Sequence, residues 1–197
     1  MTTSICDDCS KTLLPFGSVH LGSIEKGYRH LCLACYNAAI AIHCGVDFQH
    51  TEFESVTLTD VDGVAHRFEF ALKLLGDRVV LSAHDNEAYP IEGYGFQEIS
   101  LDPNIEPLEL FRRLFEKMRR ALARKHLVQH DKFGLQITDS GIIRGYVSCD
   151  LDSDSEERLP MLVIDGKPIS WAQFGKMLAS YEGSAFKLEL FDKSEER

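Results

Sequence analysis

The sequence predicts an α+β protein: a small amino-terminal module that binds a metal, then antiparallel-sheet-plus-helix segments. Three observations predict it. Four cysteines fall into two C-x2-C pairs within the first 35 residues, as Cys6/Cys9 and Cys32/Cys35. Several short runs alternate apolar and polar residues between Gly- and Asp-containing turns, the period of half-buried strands. Two stretches repeat apolar residues every three or four positions, the period of amphipathic helices. The chain divides at composition breaks into residues 1–47, 52–130 and 133–197, with no internal repeat.

In the first segment 22 residues separate the two C-x2-C pairs, close to the paired spacing of zinc sites. Two thiolates two residues apart chelate one ion from a tight turn, and a second such pair completes the tetrahedron that Zn²⁺ accepts without electronic preference. The expected ligands are Cys6, Cys9, Cys32 and Cys35, with His30, His43 or Cys44 as substitutes for one thiolate. Rubredoxin-type iron uses the same paired spacing, but Ser10 and Tyr36 stand where its glycines follow the cysteines. A reducing compartment disfavours disulfides, and Cys6 lacks the strand-to-helix setting of a thioredoxin-like motif. Lys11, Lys26 and Arg29 are placed to offset the −2 charge of a zinc tetrathiolate.

Between the pairs, Phe16 to Tyr28 is expected as a hairpin, and Leu33 to His43 as a helix starting at the second pair. That order resembles a treble-clef zinc finger, and more loosely a LIM-like or zinc-ribbon module. The resemblance covers about the first 45 residues and implies a structural zinc ion and no particular activity.

The middle segment alternates from Phe53 to Thr59, turns at Asp62-Gly63 and resumes from Val64 to Leu72 with Phe68 and Phe70 on one face. Gly76-Asp77 turns the chain into Arg78–Ser82, and Gly93–Ser100 supplies a fourth strand of an antiparallel meander. Pro107 suits a helix start. Leu110, Phe111, Leu114, Phe115, Met118, Ala121 and Leu122 then form one buried stripe. Polar residues from Gln129 to Lys132 are expected as a linker.

In the last segment Leu135–Thr138 and Ile142–Ser148 are expected to pair across Asp139-Ser140-Gly141. Met161–Ile164 turns at Asp165-Gly166 into Lys167–Ile169. Ser170 and Gln173 form a capping-box pattern, followed by Trp171, Phe174, Leu178 and Tyr181 on one helical face, with the tryptophan expected in the core. Gly183 stops that helix, and Phe186, Leu188 and Leu190 alternate as a closing strand. The stretch from Val163 to Gly183 is similar to a small bacterial domain of uncharacterised families, which implies a compact αβ module without a mechanism.

Other constellations are weaker. Arg112, Arg113, Lys117, Arg119, Arg120, Arg124 and Lys125 carry seven of the 21 basic residues on the second helix or just after it, against Glu106, Glu109 and Glu116. They form either a solvated helix face or a contact for phosphates or an acidic partner. Asp150, Asp152, Asp154, Glu156 and Glu157 begin like a calcium loop, but Ser155 and Met161 occupy the positions that need Gly and Glu. His66, His84, His126 and His130 have no identifiable catalytic partner, Cys149 is isolated, and Gly93-Tyr94-Gly95 lacks the third glycine of a dinucleotide loop.

Composition bounds function. Of 197 residues, 44% are hydrophobic and 26% charged, so the chain folds as a globular protein. The longest aliphatic run, Ala38–Ile42, is far below the roughly 20 residues of a membrane span. The amino terminus has no signal-peptide pattern, so a cytoplasmic location is expected. A net charge of −10 opposes general attraction to nucleic acid or anionic lipid. The leading expectation is a non-catalytic, zinc-binding cytoplasmic protein serving as an interaction or regulatory module with a protein partner. The alternatives are a nucleic-acid-associated protein using the 108–125 helix, and an enzyme whose site the sequence does not locate.

Overall fold

A computed structural model describes residues 4–13, 17–25, 27–85, 93–149 and 160–192. The acidic run from Asp150 to Glu157 and Lys26 lie outside the described residues. The fold is α+β, with three α-helices and antiparallel sheets among the described residues.

A hairpin of β1 (Ser18–Ser23) and β2 (Gly27–Cys32) opens the chain and leads directly into α1 (Leu33–Cys44). The helix ends where Gly45 takes a left-handed conformation, φ 66°, and the amides of Gly45 and Val46 close onto the last-turn carbonyls. Beneath the hairpin and helix sits a small core of Cys6, Leu13, Leu31, Cys32 and Tyr36.

The largest sheet is the expected meander, β3 (Val56–Thr59), β4 (Ala65–Leu75), β5 (Arg78–His84) and β6 (Gly95–Ser100), in sequential antiparallel order. Alternation along β4 puts Phe68, Phe70, Leu72 and Leu74 on one face, beside Val79, Leu81 and Ala83 of β5. Helix α2 (Pro107–Leu122) covers that face with Leu110, Leu114, Met118 and Leu122, the stripe its period predicts, and begins with Pro107 at its first position. Phe53 stacks on Phe111 with ring centroids 5.0 Å apart and closes one end of this core.

Strand β4 pairs with β3 only over Ala65–Phe68 and with β5 only over Glu69–Leu75. Among the described residues the second half of β4 therefore has one edge without a strand. Asn37 of α1, fully buried, fills it: its Nδ2 donates to the Leu72 carbonyl and its Oδ1 accepts from the Leu74 amide, both at 2.8 Å.

The carboxy-terminal part differs from its expected pairing. The stretch at Gln129–Lys132 is a hairpin, with β7 (Leu127–His130) paired to β8 (Gly134–Ile137). Strand β8 is thus taken by β7, and β9 (Gly145–Cys149) pairs instead with β10 (Pro160–Ile164), which continues into β11 (Lys167–Ser170). Thr138 N–H donates to the His126 carbonyl at 3.0 Å, extending the β7–β8 ladder by one pair and committing that edge locally. Helix α3 (Trp171–Leu178) carries the full capping box between Ser170 and Gln173. Its Met177 is buried with Leu127, Ile137, Ile164 and Ile169. Trp171 is 51% exposed, contrary to the core position expected for it, because Met177 and Phe174 supply the inward contacts of so short a helix. The expected closing strand is not one: Ala185–Phe191 belongs to none of the sheets among the described residues.

At the β10–β11 turn Asp165 and Gly166 both have positive φ, 50° and 70°, the conformation of a two-residue hairpin turn. Asp165 Oδ2 accepts the amides of His126 and Leu127, each at 2.8 Å, and Gly93 N–H donates to the Gly166 carbonyl. This turn joins the last segment to the end of α2 and the start of β6.

Candidate metal centre

The first C-x2-C pair lies in a tight turn. Ile5 and Thr12 bridge its two arms, Cys6 N–H donates to the Lys11 carbonyl, and Ser10 N–H donates to the Cys6 carbonyl at 2.9 Å. Ser10 closes the turn with φ 60°. Asp7 holds this turn on β2 twice over: its amide donates to the His30 carbonyl, and its carboxylate accepts the His30 amide at 2.6 Å.

The second pair straddles the start of α1. Cys32 is the N-cap residue, extended at φ −68° and ψ 161°, and its side chain makes no capping hydrogen bond, which leaves the sulfur directed elsewhere. Cys35 is the third helical residue. No acidic side chain occupies this first turn, so the unpaired amides and the helix dipole favour negative charge there.

These two turns bring the sulfurs of Cys6, Cys9, Cys32 and Cys35 within 4.8 Å of one another. The Sγ atoms of Cys9 and Cys32 are 3.7 Å apart, and all four cysteines are free of disulfides. Zinc–sulfur bonds of about 2.3 Å in a tetrahedron require sulfurs about 3.8 Å apart, so the cluster matches a tetrathiolate within a small contraction. Cys6 and Cys32 are buried, Cys35 partly so, and Cys9 faces solvent.

The electrostatics of the cluster are divided. Burial alone would raise the Cys6 thiol, but the amides of Cys32, Cys9 and Asp8 point at its sulfur and hold it down to about 6. The Cys32 amide is 3.3 Å from that sulfur. Burial pushes Cys35 strongly up, and the neighbouring sulfurs of Cys32, Cys9 and Cys6 push it further. Burial likewise raises Cys32. One sulfur is prepared for negative charge while its neighbours resist a second and third, the conflict that a divalent cation at the centre resolves.

The substitutes considered from sequence do not reach the cluster. His30 Nε2 is engaged with Ser18 Oγ at 2.9 Å, and its ring stacks on His20 with centroids 4.1 Å apart. His43 and Cys44 are at the opposite end of α1, about 13 Å along the axis from Cys35 at the usual helical rise. Arg29 donates to Asp8 at 2.8 Å and Lys11 to Glu52 at 2.6 Å, so these two of the three expected counter-charges are already matched by carboxylates.

Much of the positive charge associated with α2 is also matched. Arg112 and Arg113 both donate to Glu109, and Arg112 reaches Glu116 at 2.9 Å. Lys117 turns inward, donating to Glu98 and to the Gln97 carbonyl at 2.9 Å each. Lys125 pairs with Asp62 and lies 3.6 Å from Asp60.

A polar junction invisible in the linear pattern lies where β4, β5 and the end of α2 meet. His66 Nδ1 is 2.7 Å from Asp85 Oδ2 and its Nε2 is 3.5 Å from Asp60 Oδ2, with Tyr94 edge-on at 5.0 Å. Burial raises the Tyr94 hydroxyl, helped by the charges of Asp165, Asp60 and Asp85. The Nε2 atom is buried and makes no hydrogen bond among the described residues. His126 Nδ1 lies 2.9 Å from the Ile142 carbonyl.

Fold and site together define an α+β protein with an amino-terminal four-cysteine cluster arranged to hold one metal ion. Three family models match consecutive parts of the chain: a domain of unknown function (DUF7685) over residues 5–47, a second (DUF7686) over 49–123 and a third (DUF7713) over 126–195. No curated protein and no solved structure matches it. Among the described residues no helix is long and apolar enough to cross a membrane.

Proposed function

We propose that the chain is a non-catalytic zinc-binding protein, an interaction module whose amino-terminal part is a treble-clef finger and whose αβ parts present a surface to a protein partner. The observation that carries this reading is the convergence of Cys6, Cys9, Cys32 and Cys35 within 4.8 Å from a turn and a helix start. Four sulfurs saturate Zn²⁺ and leave no position for water or substrate, so the ion supplies structure. It would tie the first turn, the β1–β2 hairpin and α1 into one unit, in the order of a treble clef. Zinc-finger peptides gain about 10–16 kcal/mol from such binding, ample for a segment with so small a core. The reading places the chain in the cytoplasm, where thiols are kept reduced and available to a metal.

A protein partner is favoured over nucleic acid by the carboxylates that already engage Arg112, Arg113, Lys117 and Lys125. Elemental analysis of the purified chain tests the metal assignment. One zinc per chain is expected, lost in Cys6→Ser and Cys32→Ser. A visible thiolate-to-iron absorption, or full zinc content in both variants, overturns it. Duplex DNA and RNA binding, measured against salt, tests the partner class: tight binding that weakens steeply with salt and on Arg119→Glu/Arg120→Glu would establish the nucleic-acid reading instead.

A further inference from the structure

Phe186-Lys187-Leu188-Glu189-Leu190 alternates strictly, yet it lies outside every sheet among the described residues. Phe186, Leu188 and Leu190 are 90%, 72% and 78% exposed, and Phe191 is also open to solvent. A phenylalanine carries roughly 150–250 Å² of surface, so Phe186, Leu188 and Leu190, alternate residues of one short segment, expose on the order of several hundred Å² of apolar area. Monomers rarely leave such a patch uncovered.

The segment is self-complementary. If two copies run antiparallel with Leu188 opposite Leu188, Phe186 faces Leu190 of the second copy, and Lys187 faces its Glu189. Phe186, Leu188 and Leu190 of both strands then share one face, and the two ion pairs share the other with Ala185 and Phe191. A slip of two residues either way sets Lys187 against Lys187 or Glu189 against Glu189. A slip of one sets charged residues against apolar ones. Parallel in-register pairing also opposes like charges. One register therefore satisfies both hydrophobicity and charge, and it has the two-fold symmetry of a homodimer.

We propose that residues 185–191 form a dimerisation strand, pairing antiparallel about Leu188 with the same segment of a second copy of this chain. Within one chain, Lys187 and Glu189 already pair along the same side of the segment, and the dimer exchanges that contact for two cross-strand ones. The ribbon's apolar face has a counterpart on the same lobe in Trp171 and Leu178, seven residues apart on α3 and both exposed. Together with the ribbon they would widen the apolar face each copy brings toward the roughly 800 Å² per partner of a standard interface.

The test is the oligomeric state of the full-length, metal-loaded chain by sedimentation equilibrium, with far-ultraviolet circular dichroism to verify folding. The wild type is expected to dimerise, and Leu188→Asp to be monomeric with an unchanged spectrum. Lys187→Glu and Glu189→Lys each oppose like charges twice across the two-fold and are expected to weaken the dimer about tenfold or more. The double variant Lys187→Glu/Glu189→Lys restores both pairs and is expected to recover wild-type association. A wild type that stays monomeric at concentrations on the order of 100 µM overturns the proposal, as it would if the segment served another protein's sheet. Dimerisation that survives Leu188→Asp, or a double variant no better than the single ones, overturns it equally.

Discussion

Asn37 Oδ1 accepts the backbone N–H of Leu74 at 2.8 Å, and through this bond the helix that carries Cys35 is fixed to the central sheet. Asn37 lies two residues beyond Cys35, so the same turn of α1 serves the metal cluster and the open edge of β4.

Asn37→Ala should therefore destabilise the whole chain. It strands the Leu74 amide and the Leu72 carbonyl in a buried setting, where each unsatisfied group costs about 1–3 kcal/mol. A loss of about 3 kcal/mol in urea unfolding is expected. A midpoint unchanged from wild type would show that the clasp contributes nothing.

The same amide fixes the state of His50. With Oδ1 committed to Leu74, Asn37 Nδ2 must donate to His50 Nδ1, 2.7 Å away, which requires that nitrogen to be unprotonated. Burial lowers the His50 pKa below its ordinary 6.5; Glu52 opposes this and Lys11 adds to it. A depressed folded-state value means the stabilisation is complete above the unfolded value and is lost as pH falls through the folded one. An NMR titration should place the His50 imidazole below 6.5, and a value above that would contradict the hydrogen-bond assignment.

Lys117 and Glu98 form a pair with side chains only 7% and 15% exposed, between α2 and β6. Lys117→Met leaves a mostly buried carboxylate without its cation, at an expected cost of about 3 kcal/mol. Lys117→Met/Glu98→Met removes both charges and should recover most of that loss. Additive effects in this double-mutant cycle would show the two are not coupled.

Metal removal should act unevenly. Hydrogen exchange after chelation is expected to accelerate across residues 5–44, where the core is only a handful of side chains, while β5, β6 and α2 retain protection from their own core. Uniform acceleration across the chain, or none in residues 5–44, would contradict that division.

The local chemistry of the chain was legible in its residue order. Each of the β3–β6 meander, the α2 stripe, the Ser170 cap and the Asp165-Gly166 turn depends on neighbours a few positions apart, so period and turn residues reveal it. The four cysteines were legible because C-x2-C is itself a chelating geometry. Two failures have one cause: the β7–β8 hairpin and the unpaired 185–191 segment are matters of which strand meets which edge, and alternation names no partner. Trp171 was misplaced because an apolar residue on an amphipathic face is drawn inward only if the helix has something to cover there.

Residue order by itself thus determined the β3–β6 meander, the helices, the turns between them and the four clustered cysteines, since these follow from steric and chelating rules acting over a few residues. Only the tertiary structure decided that Asn37 completes the edge of β4, that Asp165 receives the amides of His126 and Leu127, and that Lys117 faces inward. Each of these joins groups 19 or more positions apart in the chain, where an unsatisfied buried donor or charge selects its partner by position in space.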